Sequence, residues 1–134
     1  MMGAGILFQH DKKVLLLKRA KEGDKWAGYW NCPGGSTEKG ESRYETAVRE
    51  SREEIGPLPL FQVYNHIDQR GYTLFLAQAK YKFTPLLNNE HSEWKWVDEV
   101  DVLSYDLHPK DRKPLEFLYR QLIIPPKPVP PERT

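Results

Sequence analysis

The stretch PGGSTEKGESRYETAVRESREEIGP, from Pro33 to Pro57, restricts the chain more than any other part of it. Pro33-Gly34-Gly35 breaks regular structure ahead of it, and Gly56-Pro57 stops it, since Gly suits the turn after a helix and Pro cannot continue one. From Glu41 or Ser42 to Ile55 no Pro or Gly intervenes. That predicts one helix, with Ser42 or Thr37 at its cap. At about 100° per residue, Glu50, Glu53 and Glu54 share one stripe, while Tyr44, Ala47, Val48 and Ile55 cluster roughly opposite. Arg49 lies on the flank, one turn before Glu53. Three like charges on one stripe repel, by a few tenths of a kcal/mol per exposed pair. A hard divalent cation, Mg²⁺ or Mn²⁺, reverses that balance by taking carboxylate oxygens together with substrate phosphate. By wheel geometry alone, an ordinary solvated acidic face is the alternative.

Strand-sized runs flank this helix. GAGILF and KVLLLKR favour β structure and are separated by a polar turn from His10 to Lys13, a pattern that predicts an opening hairpin. Tyr29 to Cys32 predicts a short strand ended by Pro33. Beyond Pro57, LFQVYNHI and YTLFLAQAKY are joined through Asp68 to Gly71, and EWKWV gives a further strand. PLEFLYRQL, from Pro114, places Leu115, Leu118 and Tyr119 at helical spacing, with proline in the first turn. Strands with one central and one late helix predict an α/β (α+β) domain, a mixed β-sheet between helices, over residues 1–124. The tail, residues 125–134, is proline-rich and favours an extended polyproline conformation. It reads as a flexible end and as a weak candidate for protein interaction.

The net charge of +1, with both signs interspersed, leaves no electrostatic footprint for long nucleic acid or an anionic membrane. Apolar runs such as Val14 to Leu17 are far too short to span a bilayer. The start, MMGAGILFQHD, lacks the basic and apolar regions of a signal peptide. A single cysteine, Cys32, excludes an internal disulfide. A cytoplasmic domain is the expectation.

The residues from Gly35 to Pro57 resemble the Nudix box of MutT-like hydrolases, G-x5-E-x7-R-E-U-x-E-E-x-G-U, where U is aliphatic. Gly35, Glu41, Arg49, Glu50, Glu53, Glu54 and Gly56 match at the required spacing. Ser51 and Pro57 stand where the pattern has aliphatic residues. Ser51 falls in the apolar arc, where its hydroxyl is expected to bond back to a carbonyl one turn earlier. The resemblance covers nearly the whole chain apart from the tail, and implies an α/β/α sandwich whose box is a loop–helix–loop binding divalent metal. It implies Glu50, Glu53 and Glu54 as metal ligands, with Glu53 and Glu54 serving catalysis. Arg49 would orient a carboxylate through charge-assisted hydrogen bonds. Gly35 would permit close backbone approach, Glu41 would support metal or loop, and Gly56 would close the helix. The implied reaction is Mg²⁺-dependent hydrolysis of a pyrophosphate bond in a nucleoside diphosphate-linked compound, water attacking phosphorus. Mn²⁺ is the expected substitute, and a homodimer is compatible with the family.

The run NEHSEWKWV, Asn89 to Val97, is similar to the E-H-x-x-Y-x-W stretch of dinucleoside polyphosphate hydrolases and some nucleoside triphosphate pyrophosphohydrolases, with Trp94 replacing Tyr. It implies Glu90 as general base or additional metal ligand, and tilts the substrate towards those two classes. ADP-ribose and nucleotide sugars remain open. So does a non-catalytic nucleotide-binding module, although such modules commonly lose box glutamates that are all present here. His91 has no partner in sequence and reads as structural or solvated. Lys18 and Arg19, ending the second strand, are candidates for substrate phosphate. Trp26 sits in a loop and is the aromatic chosen for stacking on a base.

Overall fold

A computed structural model describes residues 2–123 of the chain, and among these seven strands form one mixed sheet between helices. The proline-rich tail lies outside the described residues. Strands β1 (Gly3–His10) and β2 (Lys13–Arg19) are joined through Asp11 and Lys12, both at positive φ, 47° and 62°. Two successive positive φ values give a reversal whose twist matches antiparallel strands. The expected hairpin is there, but β1 and β2 stay paired only beside the turn, at Gln9–Val14 and His10–Lys13. Beyond it they part.

After the parting, each strand finds other neighbours. β1 pairs with β4 (Gly34–Ser36) at its start and runs parallel to β6 (Tyr72–Ala79) from Gly3 to Gln9. β2 pairs with β3 (Trp30–Asn31) and, along its length, with β7 (His91–Asp98). β5 (Phe61–Gln69) closes the far edge against β6 through Arg70 and Gly71, again two residues at positive φ. One parallel pair in an otherwise antiparallel sheet confirms the mixed arrangement read from the order of elements.

Both faces are covered. Ile6, Phe8, Leu15 and Leu17 pack with Ala47 and Ile55 of helix α1 (Arg43–Ile55). Leu7, Val14 and Leu16 pack on the other side with Leu115 and Tyr119 of helix α2 (Pro109–Ile123) and with Val102 of a short 3-10 helix, Glu99–Ser104. A strand buried on both faces needs no polar alternation, which accounts for the run Val14 to Leu17. Each such side chain contributes about 1.5–3 kcal/mol by leaving water.

Helix α1 starts as a capping box. Ser42 Oγ accepts from the Glu45 amide at 3.0 Å, and the Glu45 carboxylate accepts from the Ser42 amide at 2.9 Å. The other cap candidate, Thr37, instead shares its hydroxyl with Thr46 at 3.1 Å. At the far end Gly56 takes φ 77°, ψ −152°, and its amide donates to the Arg52 carbonyl at 3.0 Å. That positive φ favours glycine, although ψ differs from the left-handed helical value expected there.

Three expectations are corrected. Helix α2 begins at Pro109, not Pro114. Pro109 takes the first position, where its missing N–H is no loss, and Pro114 sits inside the helix, held by buried Leu115 and Tyr119. Gly34 and Gly35 do not end regular structure but form β4, pairing with Gly5 and Ala4. Ser51 is buried and its hydroxyl has no hydrogen-bond partner among the described residues, so the expected back-bond to the previous turn is not made.

The adjacent glycines of β4, Gly34 and Gly35, make different demands. A Cβ on Gly34 would fall against the Tyr72 hydroxyl and 2.7 Å from the Ala4 carbonyl oxygen, which is sheet backbone and cannot yield. A Cβ on Gly35 would meet only the Glu50 carboxylate, the end of a movable side chain. Gly34→Ala is therefore expected to lower stability by about 1–3 kcal/mol, read as an earlier urea midpoint with unchanged slope. Gly35→Ala should shift that midpoint less and displace Glu50 instead.

Candidate active site

Where β1 and β2 diverge, a cleft of about 620 Å³ opens between the start of β1, the end of β2 and the first turn of α2. One wall carries Glu50, Glu54 and Glu90, and the other carries Arg70, Lys110 and Lys113, with Arg19 also reaching the lining.

Glu54 is the deepest of the acids, only 2% exposed. One carboxylate oxygen accepts from the Gly34 amide at 3.3 Å, and the other lies 3.8 Å from His91 Nε2. His91 is buried too, with Nε2 3.1 Å from Asn31 Oδ1, so that nitrogen carries the proton and donates to the amide oxygen. Burial, reinforced by the charges of Arg19 and Lys110, pushes the His91 pKa down to about 3, so the ring is neutral near pH 7. Burial pushes the Glu54 carboxyl well above the ordinary range. Lys110 opposes that shift, while Glu90 and Glu50 add to it. Glu54, Glu90 and His91 lie with a polar atom each within 4.8 Å of the others, but the His91 nitrogen facing Glu54 carries a proton, so the two carboxylates and not the ring are the ones free to hold a cation.

Glu50 occupies the space that Gly35 leaves without a side chain. Partial burial raises its pKa, Arg49 opposes, and Glu53 adds to the rise. The Arg49 guanidinium ties these groups together. It donates to both oxygens of Glu41, at 2.6 and 3.0 Å, to Glu50 at 3.1 Å, to Glu53 at 3.2 Å and to the Ser36 carbonyl at 3.0 Å. Arg49 in turn holds the Glu41 carboxyl down to about 2, helped by the Glu38 amide.

The structure divides the predicted residues. Glu50, Glu54, Glu90, Gly35 and Arg19 meet at the cleft. Glu53 does not line it; its side chain is 54% exposed and turned to Arg49. A wheel separates faces but not depth, and here one acidic stripe runs from fully buried Glu54 to solvated Glu53. Lys18 lies outside the lining and pairs with Glu93 at 3.2 Å. Arg19 lines the cleft with its Nε already held by Asp24 at 2.6 Å. Trp26 packs edge-on against Tyr29 and His108, at 5.1 and 5.2 Å, and so stands behind His108, which does line the cleft.

Sequence reasoning missed a second charged group. Lys110 Nζ donates to the Tyr72 hydroxyl at 3.0 Å, to Asp111 Oδ2 at 3.0 Å and to the Cys32 carbonyl at 3.1 Å, which uses all three of its protons. Asp111 Oδ2 also accepts from the Cys32 amide at 2.9 Å. Burial disfavours the ammonium charge, but Asp111 and its neighbours outweigh this and hold the Lys110 pKa above its ordinary value. The Tyr72 hydroxyl that Lys110 meets is buried against Gly5 and Gly34. The only signal for this group was the adjacent pair Lys110-Asp111, and it was obscured by starting the helix at Pro114.

Comparisons with known proteins agree with this geometry. Residues 1–118 match the family model of the NUDIX domain. A CTP pyrophosphohydrolase of Escherichia coli (strain K12) is 31% identical over 115 residues, covering 82% of this chain and 84% of that protein. The nucleoside triphosphatase NudI of Escherichia coli O17:K52:H18 is 28% identical over 128 residues, covering 83% and 91%. The crystal structure of RenU, a Nudix hydrolase from M. smegmatis, superposes with a TM-score of 0.71 at 26% identity, covering 89% of this chain and 83% of that one.

Two neutral histidines, buried His91 and half-buried His108, give the fold an acid sensitivity. His108, like His91, is pushed down, mainly by burial and to about 4. Between these values and the ordinary 6.5 the unfolded chain binds protons that the folded chain does not. The histidines' contribution to stability therefore falls as pH drops from about 6.5 towards 4, while Glu54 and Glu50, whose carboxyls burial pushes up, act in the opposite sense. Urea titrations across that window are expected to show that His91→Gln loses less stability on acidification than the wild type, and an equal change in both would remove the assignment.

Proposed function

The chain belongs to the Nudix hydrolase family, and from that premise we propose that it hydrolyses a pyrophosphate bond in a small nucleoside diphosphate-linked compound, using Mg²⁺ or, as a substitute, Mn²⁺. Nucleoside triphosphates and dinucleoside polyphosphates are the favoured substrates, in keeping with the CTP and nucleoside triphosphate activities named for the relatives. The observation that carries the reading is the buried Glu54 carboxylate beside Glu50 and Glu90 on an open cleft. Glu54 feels the charges of both Glu90 and Glu50, and the three carboxylates together form a hard oxygen donor set.

The donor set fits a divalent cation. Glu50 and Glu54 would hold it, with Glu53 at the rim and Glu90 either completing the set or accepting a proton from the attacking water. When bound, Mg²⁺ neutralises polyphosphate charge and lowers the pKa of a bound water. The chain's own residues do the rest. The Gly34 amide fixes the orientation of Glu54 through one of its oxygens. Arg49 fixes Glu50 and keeps Glu53 near it. Arg70 and Lys113, on the opposite wall, offer charge to the substrate phosphates. Glu41 acts through Arg49.

Glu54→Gln keeps shape and removes the charge, and is expected to cut Mg²⁺-dependent turnover at least about hundredfold with an unchanged circular dichroism spectrum. Glu45→Gln should have little effect, because glutamine also closes a capping box. Phosphate or pyrophosphate release from a panel of nucleotides measures both. Full turnover in Glu54→Gln would remove the metal-ligand assignment.

A further inference from the structure

One face of α2 continues from the cleft to an aromatic side chain and a cation that the cleft does not use, Phe117 and Arg120. At about 100° per residue, Lys110, Lys113, Phe117 and Arg120 fall within an arc of about 80° and run about 15 Å along the helix. Lys110 and Lys113 line the cleft. Lys113, Glu116, Phe117 and Arg120 line a second hollow of about 610 Å³, which shares Gln69 and Lys113 with the first, so the two adjoin.

Phe117 is 80% exposed, the most exposed large apolar side chain among the described residues. Leu115 and Tyr119 on the same helix are buried, so the core does not need this ring. It is flanked by Lys113 one turn before and Arg120 one turn after. Among the described residues neither cation forms an ion pair, unlike Lys110, which is held by Asp111. A flat aromatic face between two uncommitted cations suits a nucleobase stacked on the ring with its phosphates beside it.

We propose that this stripe receives the second nucleoside of a dinucleoside polyphosphate whose polyphosphate chain lies in the cleft. The inference rests on the pyrophosphohydrolase reading above and narrows its substrate class. The first hollow alone is of a size to take one nucleotide. A nucleoside triphosphate ends in phosphate and leaves Phe117 uncovered, and a nucleotide sugar brings no second base. Two adjoining hollows of similar volume, the second with its own ring and cations, match a ligand with a base at each end.

The test uses the full chain with Mg²⁺, comparing diadenosine tetraphosphate, ATP and UDP-glucose. Phe117→Ala removes an exposed ring, so folding should be unaffected. It is expected to raise KM for diadenosine tetraphosphate about tenfold, with kcat and the ATP constants changing less than about twofold. Arg120→Glu should act in the same direction, and more strongly at low salt. No change with any substrate, or an equal loss for all three, overturns the proposal. A shift from dimer to monomer in gel filtration of Phe117→Ala also overturns it, by assigning the ring to contact between copies. If the wild type hydrolyses none of the three, the catalytic reading fails separately. Calorimetry with diadenosine tetraphosphate then decides: about tenfold weaker binding by Phe117→Ala supports the second-nucleoside site, and equal or absent binding removes it.

Discussion

The Arg49 guanidinium is the contact on which the rest of the site depends. A planar fork can bond several acceptors at fixed angles, which an ammonium cannot do. Here it binds Glu41 through two nitrogens and reaches the Ser36 carbonyl, so the loop between β4 and α1 is folded back onto the helix that follows it. The same group holds Glu50 and Glu53. Without this cation, the carboxylates of Glu41, Glu50 and Glu53 would crowd one side of the helix with little to offset their repulsion. Gly35 completes the arrangement by leaving room for the Glu50 carboxylate against the β4 backbone.

A second ionic group plays the matching part on the other wall. Lys110 and Asp111 join the first turn of α2 to the Cys32 backbone and to Tyr72, which ties the helix to β3, β4 and β6 at one point. Removing one member of such a buried pair leaves the other unpaired in a poorly solvating place, so the group acts as a unit. Because its three protons are all engaged, Lys110 contributes field to the cleft more than direct contact. Arg70 and Lys113 are better placed to touch an anion.

Much of this was legible in the sequence. The central helix, its cap at Ser42, its stop at Gly56 and the mixed order of strands all follow from local rules of period and breakers, and the structure agrees with them. What was not legible depends on contacts distant along the chain. Nothing near Gly34 announces that it lies against Tyr72 and Ala4, so paired glycines read as a break and not as a strand needing close approach. Pro114 looked like a helix start because leucines follow it, and Pro109 is followed by charges whose burial only the fold reveals. His91 lacked a partner because its partners, Asn31 and Glu54, lie far from it in sequence. The acidic stripe was visible, but its gradient from buried Glu54 to open Glu53 is set by the sheet beneath it.

The short pairing between β1 and β2 has a mechanical meaning. The strands share a ladder only beside Asp11 and Lys12, yet the cleft lies at their opposite ends. Helix α1 packs on both strands, through Ile6 and Phe8 of one and Leu15 and Leu17 of the other, so the two sides of the cleft are held together by the apolar layer under the helix and not by a strand ladder. The spacing between Glu54 on that helix and Glu90 ahead of β7 is therefore set by side-chain packing, and a cavity opened at Leu15 or Leu17 would be felt at the acids before it was felt in the sheet.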